Sequence, residues 1–303
     1  MDPTRAVEAD LRVVADPLDP EAAAVMARVA RTFDLAARLL PPDIRRDVRR
    51  LYLVMRTLDD AVDRRSPDAT DRIAAVEAWA SGAVATGREA TLLADLAARH
   101  PGLPRDAVLD FCAGMRADLA GMRPLDDADL DRYCYQVAGT VGRLMTAILG
   151  SEPGRAAEAD LAARALGRAM QRTNVLRDVI EDARAGRVYL PEDALVAAGV
   201  DPAGAAARLA DLPRLEAATR RRLLAPQVTR AEADYRVGIA GIGLLRHGRR
   251  AVLAASRLYR EILREVERDR YGASGRRVVV GRTRKAWILL GSLVARPRPP
   301  LAR

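Results

Sequence analysis

The chain is poor in cysteine, histidine and aromatic residues. It has two Cys, two His and two Phe among 303 residues, and aromatic residues make up 4% of the total. Two cysteines do not form a disulfide framework, so we expect a reducing, cytoplasmic environment. His100 and His247 follow no pattern typical of a zinc site or a histidine-based catalyst. With so few aromatic residues, the core must be built mainly from Ala, Leu and Val.

Long hydrophobic runs are also missing. The most apolar stretches, 238–245 and 286–295, are shorter than the ~20 residues that a membrane-spanning helix needs. The first twenty residues are acidic and are interrupted by Pro3, Pro17 and Pro20, which is unlike a targeting segment. We therefore expect a cytoplasmic protein without a spanning helix.

The charge is positive but scattered. Lys and Arg total 50 against 41 Asp and Glu, which gives a net charge of +9, and Lys285 is the one lysine. The arginines alternate with acidic residues instead of forming a basic tract, and few aromatic residues are present to stack on bases. We expect no nucleic-acid partner; an anionic small substrate or a membrane surface explains the charge equally well.

Helical periodicity extends through most of the chain, and no segment alternates as a strand would. Proline and glycine divide the pattern into predicted helices, with one further short helix in the Pro- and Gly-rich segment 186–213. The long helices are predicted at 20–40, 43–65, 69–86, 90–99, 105–122, 130–149, 158–185, 214–246, 249–269 and 282–293. This predicts one all-α domain over residues 20–295, after a partly disordered extension (1–19) and before a disordered tail (296–303).

One predicted helix carries a stripe of polar residues beside its apolar face. Tyr52, Arg56, Asp59 and Asp63 follow the spacing i, i+4, i+7, i+11, which places them on one side of a helix. This stripe lies at the margin of the buried face, where a side chain can enter a cavity. Taken alone, the stripe is more typical of an exposed helix with ion pairs between neighbouring turns.

A second predicted helix repeats this construction. Its stripe combines amides and carboxylates at i, i+3, i+7 and i+11, namely Gln171, Asn174, Asp178 and Asp182. Arg177 and Arg187 flank the carboxylates, and arginine suits bidentate recognition of phosphate. A salt-bridged surface helix would also explain this segment if it stood alone.

The repetition changes the interpretation, because two such helices facing each other would form a cup of four carboxylates. Hard divalent cations such as Mg²⁺ prefer oxygen ligands and complete their coordination with water and phosphate oxygens. A diphosphate is repelled by four carboxylates unless metal ions neutralise the site. Bound metal would then act as a Lewis acid on the departing diphosphate. The sequence therefore predicts a metal–diphosphate site in a helical protein.

Four sequence blocks resemble the squalene/phytoene synthase family, and together they extend from about Arg28 to Leu290. The first comprises residues 31–33, 39–41, 51–52 and 56–63, and the second is the segment 133–142. The third, 171–191, is the most specific. The fourth is weaker and consists of 259–263 and 276–278.

This resemblance implies an isoprenoid synthase helical bundle with a central apolar channel. It implies Mg²⁺-dependent, head-to-head condensation of two C15 or C20 prenyl diphosphates through a cyclopropylcarbinyl diphosphate. The product would be squalene, dehydrosqualene or phytoene, with NADPH needed only for squalene. Subfamily signals conflict, so the chain length stays open. An apolar product and a positive charge favour transient contact with the inner face of the membrane.

The resemblance also implies a role for each matched residue. The catalytic and metal-binding aspartates would be Asp59, Asp63, Asp178 and Asp182, with Asn174 as a further metal ligand. The diphosphate-binding residues would be Arg56, Arg177, Arg187, Gln171, Asn174 and either Arg276 or Arg277, of which we select Arg277. The residues that steady the carbocation or relay a proton would be Tyr52, Tyr133 and Tyr259.

Two other classes of function remain open from the residues. A class I terpene cyclase would ionise and cyclise a single prenyl diphosphate with a similar carboxylate cup. A non-catalytic, Arg-rich helical protein would bind a membrane surface or an enzyme partner. Such a protein has no need for two aspartate stripes with Gln171 and Asn174 beside them, which disfavours it. The sequence predicts no oligomeric state.

Overall fold

The computed structural model describes residues 18–29, 34, 37–38 and 40–298. Within these ranges the chain is helical, and its extended backbone pairs only in an isolated bridge between Ser151 and Leu245. The helices are α1 (Leu18–Val29), α2 (Pro42–Asp63), α3 (Ala69–Ala80), α4 (Arg88–Arg99), α5 (Arg105–Leu119), α6 (Asp127–Cys134), α7 (Thr140–Leu149), α8 (Ala156–Arg184), α9 (Glu192–Ala197), α10 (Ala205–Ala210), α11 (Ala217–Gly241), α12 (Arg249–Arg268) and α13 (Arg282–Val294). The predicted all-α class is confirmed.

In two predicted segments the structure has more elements than the sequence predicts, and the helix predicted at 69–86 already ends at Ala80. The helix expected over 130–149 consists of α6 and α7 joined by a π-helical turn, Tyr135–Gly139. The segment 186–213, expected to hold one short helix, holds both α9 and α10. None of the described helices is long and apolar enough to cross a membrane.

The predicted extension and tail lie mostly outside the described residues. Of the extension 1–19, Leu18 and Asp19 are described, and both belong to the first turn of α1. Of the tail 296–303, residues 296–298 are described and are not helical. Block residues 31–33 and 39 also lie outside the described ranges. The order of these terminal segments stays a prediction.

Two apolar cores hold the bundle together. The first includes Leu51 and Leu58 on α2 together with Leu93 on α4, and the second includes Leu176 on α8 and Leu223 on α11. Each of these five side chains is at least 96% buried. Because burial of a leucine side chain contributes ~2 kcal/mol, these cores fix the relative positions of α2 and α8, the two helices that carry the polar stripes.

The long helix α8 lies against α7, α10, α11 and α12, and glycines allow the closest of these approaches. A Cβ atom on Gly167 would collide with the backbone of Ala138 in the π-helical turn. A Cβ on Gly238 would lie 2.7 Å from Cβ of Leu166. Side chains at these positions would force the helices apart, so the absent Cβ atoms set the helix spacing.

The π-helical turn is packed just as tightly. A Cβ on Gly139 would lie 2.8 Å from Cδ2 of Tyr135, and one on Gly142 would lie 2.5 Å from the carbonyl oxygen of Ala163. A π-helical turn shifts the register of the side chains that come after it, and such turns recur at functional sites. Here the shifted segment forms part of the wall of a cavity, because Gly142 lines that cavity as well.

Candidate active site

A cavity of about 390 Å³ opens among the helices and draws its lining from both apolar cores. Much of its wall consists of small residues, namely Ala138, Gly142, Ala159, Ala162, Ala163, Gly238, Gly241, Ala251 and Ala255. Larger aliphatic side chains such as Met26 and Leu245 complete that wall. The polar lining residues are Tyr52, Arg56, Asp59, Asp118, Tyr133, Thr146, Gln171, Asn174 and Tyr259. The cavity therefore combines an apolar space with a polar region that contains the inward ends of both stripes.

The stripe on α2 presents one carboxylate to the cavity and one to its edge. Arg56 Nη1 donates to Asp59 Oδ2 at 2.8 Å and Arg56 also pairs with Asp60. Burial, together with the nearby charge of Asp63, raises the pKa of Asp59 to about 6. Asp63 accepts a hydrogen bond from Arg187 Nη1 at 2.6 Å. The guanidinium of Arg56 thus does not offset the combined effect of desolvation and of Asp63 on the pKa of Asp59, whose side chain is partly exposed.

The two carboxylates of the stripe on α8 also differ from each other, and their pKa values shift in opposite directions. Asp178 accepts hydrogen bonds from Arg177 Nε at 2.8 Å and from Arg277 Nε at 2.7 Å. Burial alone would raise the pKa of Asp178, but the two guanidinium groups outweigh it and lower the pKa. Burial and the charge of Asp178 raise the pKa of Asp182 to about 7. Asp178 is therefore compensated by arginine, whereas Asp182 is not.

Arg187 brings the two stripes to one place. Gly186, with φ +77°, ends α8 in the left-handed conformation, and the amide of Arg187 returns to the carbonyl of Asp182 at 2.8 Å. From there the guanidinium reaches Asp63 on α2. The charge of Asp63 also contributes to the raised pKa of Asp182. The carboxyl end of α2 and that of α8 therefore face a shared volume.

Three residues form a hydroxyl–carboxylate cluster at the cavity. Tyr133 Oη donates to Asp118 Oδ2 at 2.9 Å, and Tyr189 Oη donates to Asp118 Oδ1 at 3.0 Å. The two rings stack with centroids 5.1 Å apart. Burial raises the pKa of Asp118 despite these hydrogen bonds. The sequence singled out Tyr133 but missed Asp118, which has no partner at helical spacing, and Tyr189, which the third block contains.

The other two predicted tyrosines lie on opposite helices of the cavity. Burial raises the pKa of Tyr52 to about 12, and the neighbouring Tyr259 contributes to this shift. Burial also raises the pKa of Tyr259, which lies close to Arg177 and Asp178. Both phenols are therefore neutral at physiological pH, with polar oxygens at the border between the apolar wall and the charged residues.

The amide pair of α8 offers an acceptor that no donor among the described residues satisfies. Asn174 Nδ2 donates to Gln171 Oε1 at 3.2 Å, which leaves the buried Oδ1 of Asn174 without a hydrogen-bond partner. Buried polar atoms normally have partners, so this oxygen is a ready ligand for a cation or for metal-bound water. The predicted metal ligand Asn174 thus fits the role by its chemistry.

The oxygen atoms of the two stripes are suited to a metal ion that also binds water and phosphate, and not to one held by protein ligands alone. Among the residues that the structure describes, no three His, Cys, Asp or Glu side chains lie close enough to hold a metal ion alone. An ion between Asp59, Asp63, Asp182 and Asn174 would need oxygens from water and from a phosphate. This is the usual coordination of Mg²⁺, which keeps several non-protein oxygen ligands.

The structure describes every residue that the sequence analysis proposed for the site. Those that line the cavity are Tyr52, Arg56, Asp59, Tyr133, Gln171, Asn174 and Tyr259. Those joined to them through ion pairs or charge coupling are Asp63, Arg177, Asp178, Asp182, Arg187 and Arg277. Of the two late arginines, Arg277 contacts Asp178, whereas Arg276 bonds through its backbone amide to Ser274.

Comparison with known proteins identifies the family of the chain. The squalene/phytoene synthase family model matches residues 26–284. A phytoene synthase of Thermus thermophilus is 37% identical over 285 residues, which cover 91% of this chain and 92% of that protein. A chloroplastic phytoene synthase of Zea mays is 36% identical over 277 residues, and the chain spans 63% of its length.

Solved structures show the same fold. A crystal structure of a dehydrosqualene synthase with a ligand superposes with a TM-score of 0.75 at 26% identity, covering 90% of this chain and 94% of that one. A squalene synthase from Alicyclobacillus acidocaldarius gives a TM-score of 0.68 at 24% identity, covering 83% of this chain and 94% of that one. The match to the family model, the bacterial relative and the shared fold lead to one conclusion: the chain belongs to the squalene/phytoene synthase family.

Proposed function

We propose that this protein joins two C20 prenyl diphosphates head to head to form phytoene. Head-to-head condensation of prenyl diphosphates is the activity of the family, which makes the protein a prenyltransferase. The comparisons give the cyclase alternative no support. The observation that carries the proposal is the meeting of two carboxylate stripes at an apolar cavity. The choice of C20 is supported by relatives that are named phytoene synthases.

The arginines at the site are placed to receive diphosphate. Arg56, Arg177, Arg187 and Arg277 each pair with an aspartate of a stripe. A diphosphate that arrives with its counter-ions can replace these carboxylates as the partner of the guanidinium groups. The guanidinium groups then need to move only a short distance. Arginine suits this exchange because its planar group binds carboxylate and phosphate in the same bidentate geometry.

The family depends on divalent metal ions, and we propose Mg²⁺ as the ion used here. Asp59, Asp63, Asp182, Asp178 and the free Oδ1 of Asn174 would hold it, and it would withdraw charge from the departing diphosphate. The raised pKa values of Asp59 and Asp182 support this assignment, because they mark carboxylates whose neighbouring positive charge does not outweigh burial and the adjacent carboxylates.

The apolar wall and the tyrosines control the fate of the cation after ionisation. The small aliphatic lining excludes water, so the allylic cation meets the second prenyl chain and not a hydroxide. The stacked rings of Tyr133 and Tyr189 lie at the polar end and can steady a cation. Diphosphate held by the arginines, or a nearby tyrosine oxygen, accepts the proton lost when the linear product forms.

The proposed product fixes the stoichiometry. Two C20 diphosphates lose two diphosphates and two protons to give phytoene, one proton when the cyclopropane ring forms and one when the linear product forms, and no electrons are added. Squalene differs because its final step requires a hydride. We therefore propose that NADPH is not consumed by this protein.

Product analysis tests the proposal directly. The purified chain is incubated with C15 or C20 prenyl diphosphate and Mg²⁺, with and without NADPH, and a chelator serves as the control. We expect a C40 hydrocarbon from the C20 substrate, independent of NADPH, with two diphosphates released per product. A cyclised C15 or C20 product, or a C30 product that requires NADPH, would contradict the proposal.

A hydrocarbon of this size cannot remain in water. We propose that the protein makes transient peripheral contact with a membrane to release it. The positive charge of the chain supports this contact, because anionic lipids attract arginine-rich surfaces.

A further inference from the structure

The outer face of α13 is apolar. Trp287, Leu290 and Val294 follow the spacing i, i+3, i+7 along this helix, and they are 71%, 55% and 73% exposed. Leu293, beside them, is 44% exposed. A helix on the surface of a soluble protein normally turns such a stripe toward the core. On α13 the stripe faces away from the protein.

The opposite face of α13 is fixed to α12, so the helix is not free to rotate its apolar stripe inward. Arg257 Nη1 donates to the carbonyl of Gly291 at 3.1 Å and to Oγ of the buried Ser292 at 3.3 Å. Arg284 forms two hydrogen bonds with the carboxylate of Glu261, at 3.0 and 3.1 Å. These contacts hold the stripe outward.

Other exposed hydrophobic residues do not form a comparable group. They are spread over separate helices and loops, at Val84, Leu109, Leu125, Leu161, Val196, Val237 and Val279. Single exposed apolar residues are ordinary on protein surfaces, whereas a contiguous group marks an interaction site. In the described part of the chain, the group on α13 is therefore distinct.

The charge around α13 indicates which partner covers it. After Asp269 the chain has no Asp or Glu, while Arg282, Lys285, Arg296 and Arg298 lie beside or within the helix and are exposed. A second copy of the chain would bring two identical basic surfaces together, which repel each other. A bilayer rich in anionic lipid is complementary to both features, the basic residues and the apolar stripe.

We propose that α13 is a membrane-docking helix that lies flat in an anionic lipid surface, with Trp287, Leu290 and Val294 among the acyl chains. Its 13 residues span about 20 Å, which is too short to cross a bilayer but suits a helix in its interface. Tryptophan prefers this interface because its ring is apolar and its N–H reaches water.

The docking helix is also connected to the active site. Arg277, which contacts Asp178, precedes α13 by a short segment. Docking would therefore hold the diphosphate site close to the lipid surface. This connection rests on the proposed function, whereas the docking itself rests on the surface of α13.

Vesicle binding by the full chain tests the proposal. The probes are vesicles of phosphatidylcholine with about one third phosphatidylglycerol, and vesicles of phosphatidylcholine alone. Fluorescence reports on the helix, because Trp79 is buried and Trp287 is exposed. We expect a blue shift and co-sedimentation with the anionic vesicles, both weakened by high salt. Equal binding to neutral vesicles would contradict the electrostatic part of the proposal.

Two variants locate the binding surface. The triple change Trp287→Ser, Leu290→Ser and Val294→Ser should weaken vesicle binding measured by co-sedimentation at least tenfold, because it removes the three apolar side chains that enter the acyl chains. The matched control Leu161→Ser with Val237→Ser removes exposed apolar residues elsewhere and should bind like wild type. Equal binding by the triple variant and wild type would overturn the proposal.

Light scattering tests the alternative that a second copy of the chain, and not a membrane, covers α13. If wild type is dimeric without lipid, fails to bind vesicles and becomes monomeric in the triple variant, a second copy covers α13 and the proposal is wrong. Vesicle binding needs no substrate, so it succeeds or fails independently of phytoene synthesis measured in detergent. Loss of product formation with intact vesicle binding would count against the proposed function alone.

Discussion

On α2, Asp63 is held by a single guanidinium from Arg187, whereas on α8, Asp178 accepts four hydrogen bonds from Arg177 and Arg277. The other carboxylate of each stripe, Asp59 on α2 and Asp182 on α8, also differs in its charged neighbours. Asp59 retains an ion pair with Arg56, while the raised pKa of Asp182, about 7, reflects burial and two nearby aspartates. The same spacing thus produces two different local charge balances.

This difference indicates a division of labour within each stripe. Asp63 and Asp178 hold guanidinium groups where a diphosphate will need them. Asp59 and Asp182 have raised pKa values, because burial and neighbouring carboxylates outweigh the positive charge beside them, and both are suited to a divalent ion. A purely structural site would pair every carboxylate, as the buried Glu261 is paired with Arg264, Arg268 and Arg284.

The largest expected effect comes from removing one charge in either stripe. Asp59→Asn and Asp178→Asn should each lower turnover by about 10³-fold or more, because stabilisation of the leaving group by metal is worth several kcal/mol. Helical content measured by circular dichroism should be unchanged. The control Asp71→Asn alters an exposed carboxylate on α3 and should behave like wild type. Loss of helix in parallel with activity would assign the aspartates a structural role.

The second largest effect should come from removing the arginines that pair with the aspartates of the stripes. Arg187→Ala and Arg277→Ala should each raise KM for the prenyl diphosphate by roughly 10–100-fold, since a charge-assisted pair contributes about 1.5–3 kcal/mol. Steady-state kinetics measures the change. Arg276→Ala is the matched control, because its neighbour Arg277 makes the contact with Asp178. An equal effect at Arg276 and Arg277 would show that only general positive charge is used.

The tyrosines should have a smaller effect on rate and a visible effect on product. Tyr52→Phe, Tyr133→Phe and Tyr259→Phe should lower kcat by about 10-fold or shift the product mixture, with little change in KM. Product chromatography measures this. Loss of activity in folded His100→Ala or His247→Ala, with all three tyrosine variants like wild type, would contradict the assignment.

Of the changes considered, Glu261→Gln should have the smallest effect on activity, but it should clearly alter the free energy of unfolding as the pH falls. Burial would raise its pKa, but hydrogen bonds from Arg284, Arg268 and Arg264 outweigh it and hold the pKa at about 2, against 4.5 in the unfolded chain. Its stabilising contribution is therefore complete above pH 4.5 and is lost as the pH falls toward 2. Urea unfolding of wild type and Glu261→Gln should differ at pH 7 and converge near pH 2. A constant difference would contradict this linkage.

The sequence predicted the stripes because helical spacing is a local property. Asp59 with Asp63, and Asp178 with Asp182, share a helix face wherever those helices lie. The choice between Arg276 and Arg277 needed the structure, since a loop has no periodicity to decide which side chain returns to α8. The structure favours Arg277 through its contact with Asp178.

Other features depend on tertiary packing and could not be predicted. Asp118 joins the site because α5 ends beside Tyr133 and Tyr189, and nothing near it in sequence indicates this. The π-helical turn at Tyr135–Gly139 interrupts a segment whose pattern predicts one continuous helix, and Gly139 is closely packed there. The outward stripe on α13 has the pattern of a buried face, so sequence alone would have placed Trp287 in the core.

The most direct measurement of the central claim, that both stripes form one metal–diphosphate site, uses Mn²⁺ in place of Mg²⁺. Electron paramagnetic resonance measures Mn²⁺ bound to the full chain with and without inorganic diphosphate, for wild type, Asp59→Asn and Asp178→Asn. We predict that diphosphate strengthens Mn²⁺ binding to wild type, and that either variant abolishes this gain. If each variant kept the diphosphate-dependent gain, the stripes would act separately and the shared site would be wrong.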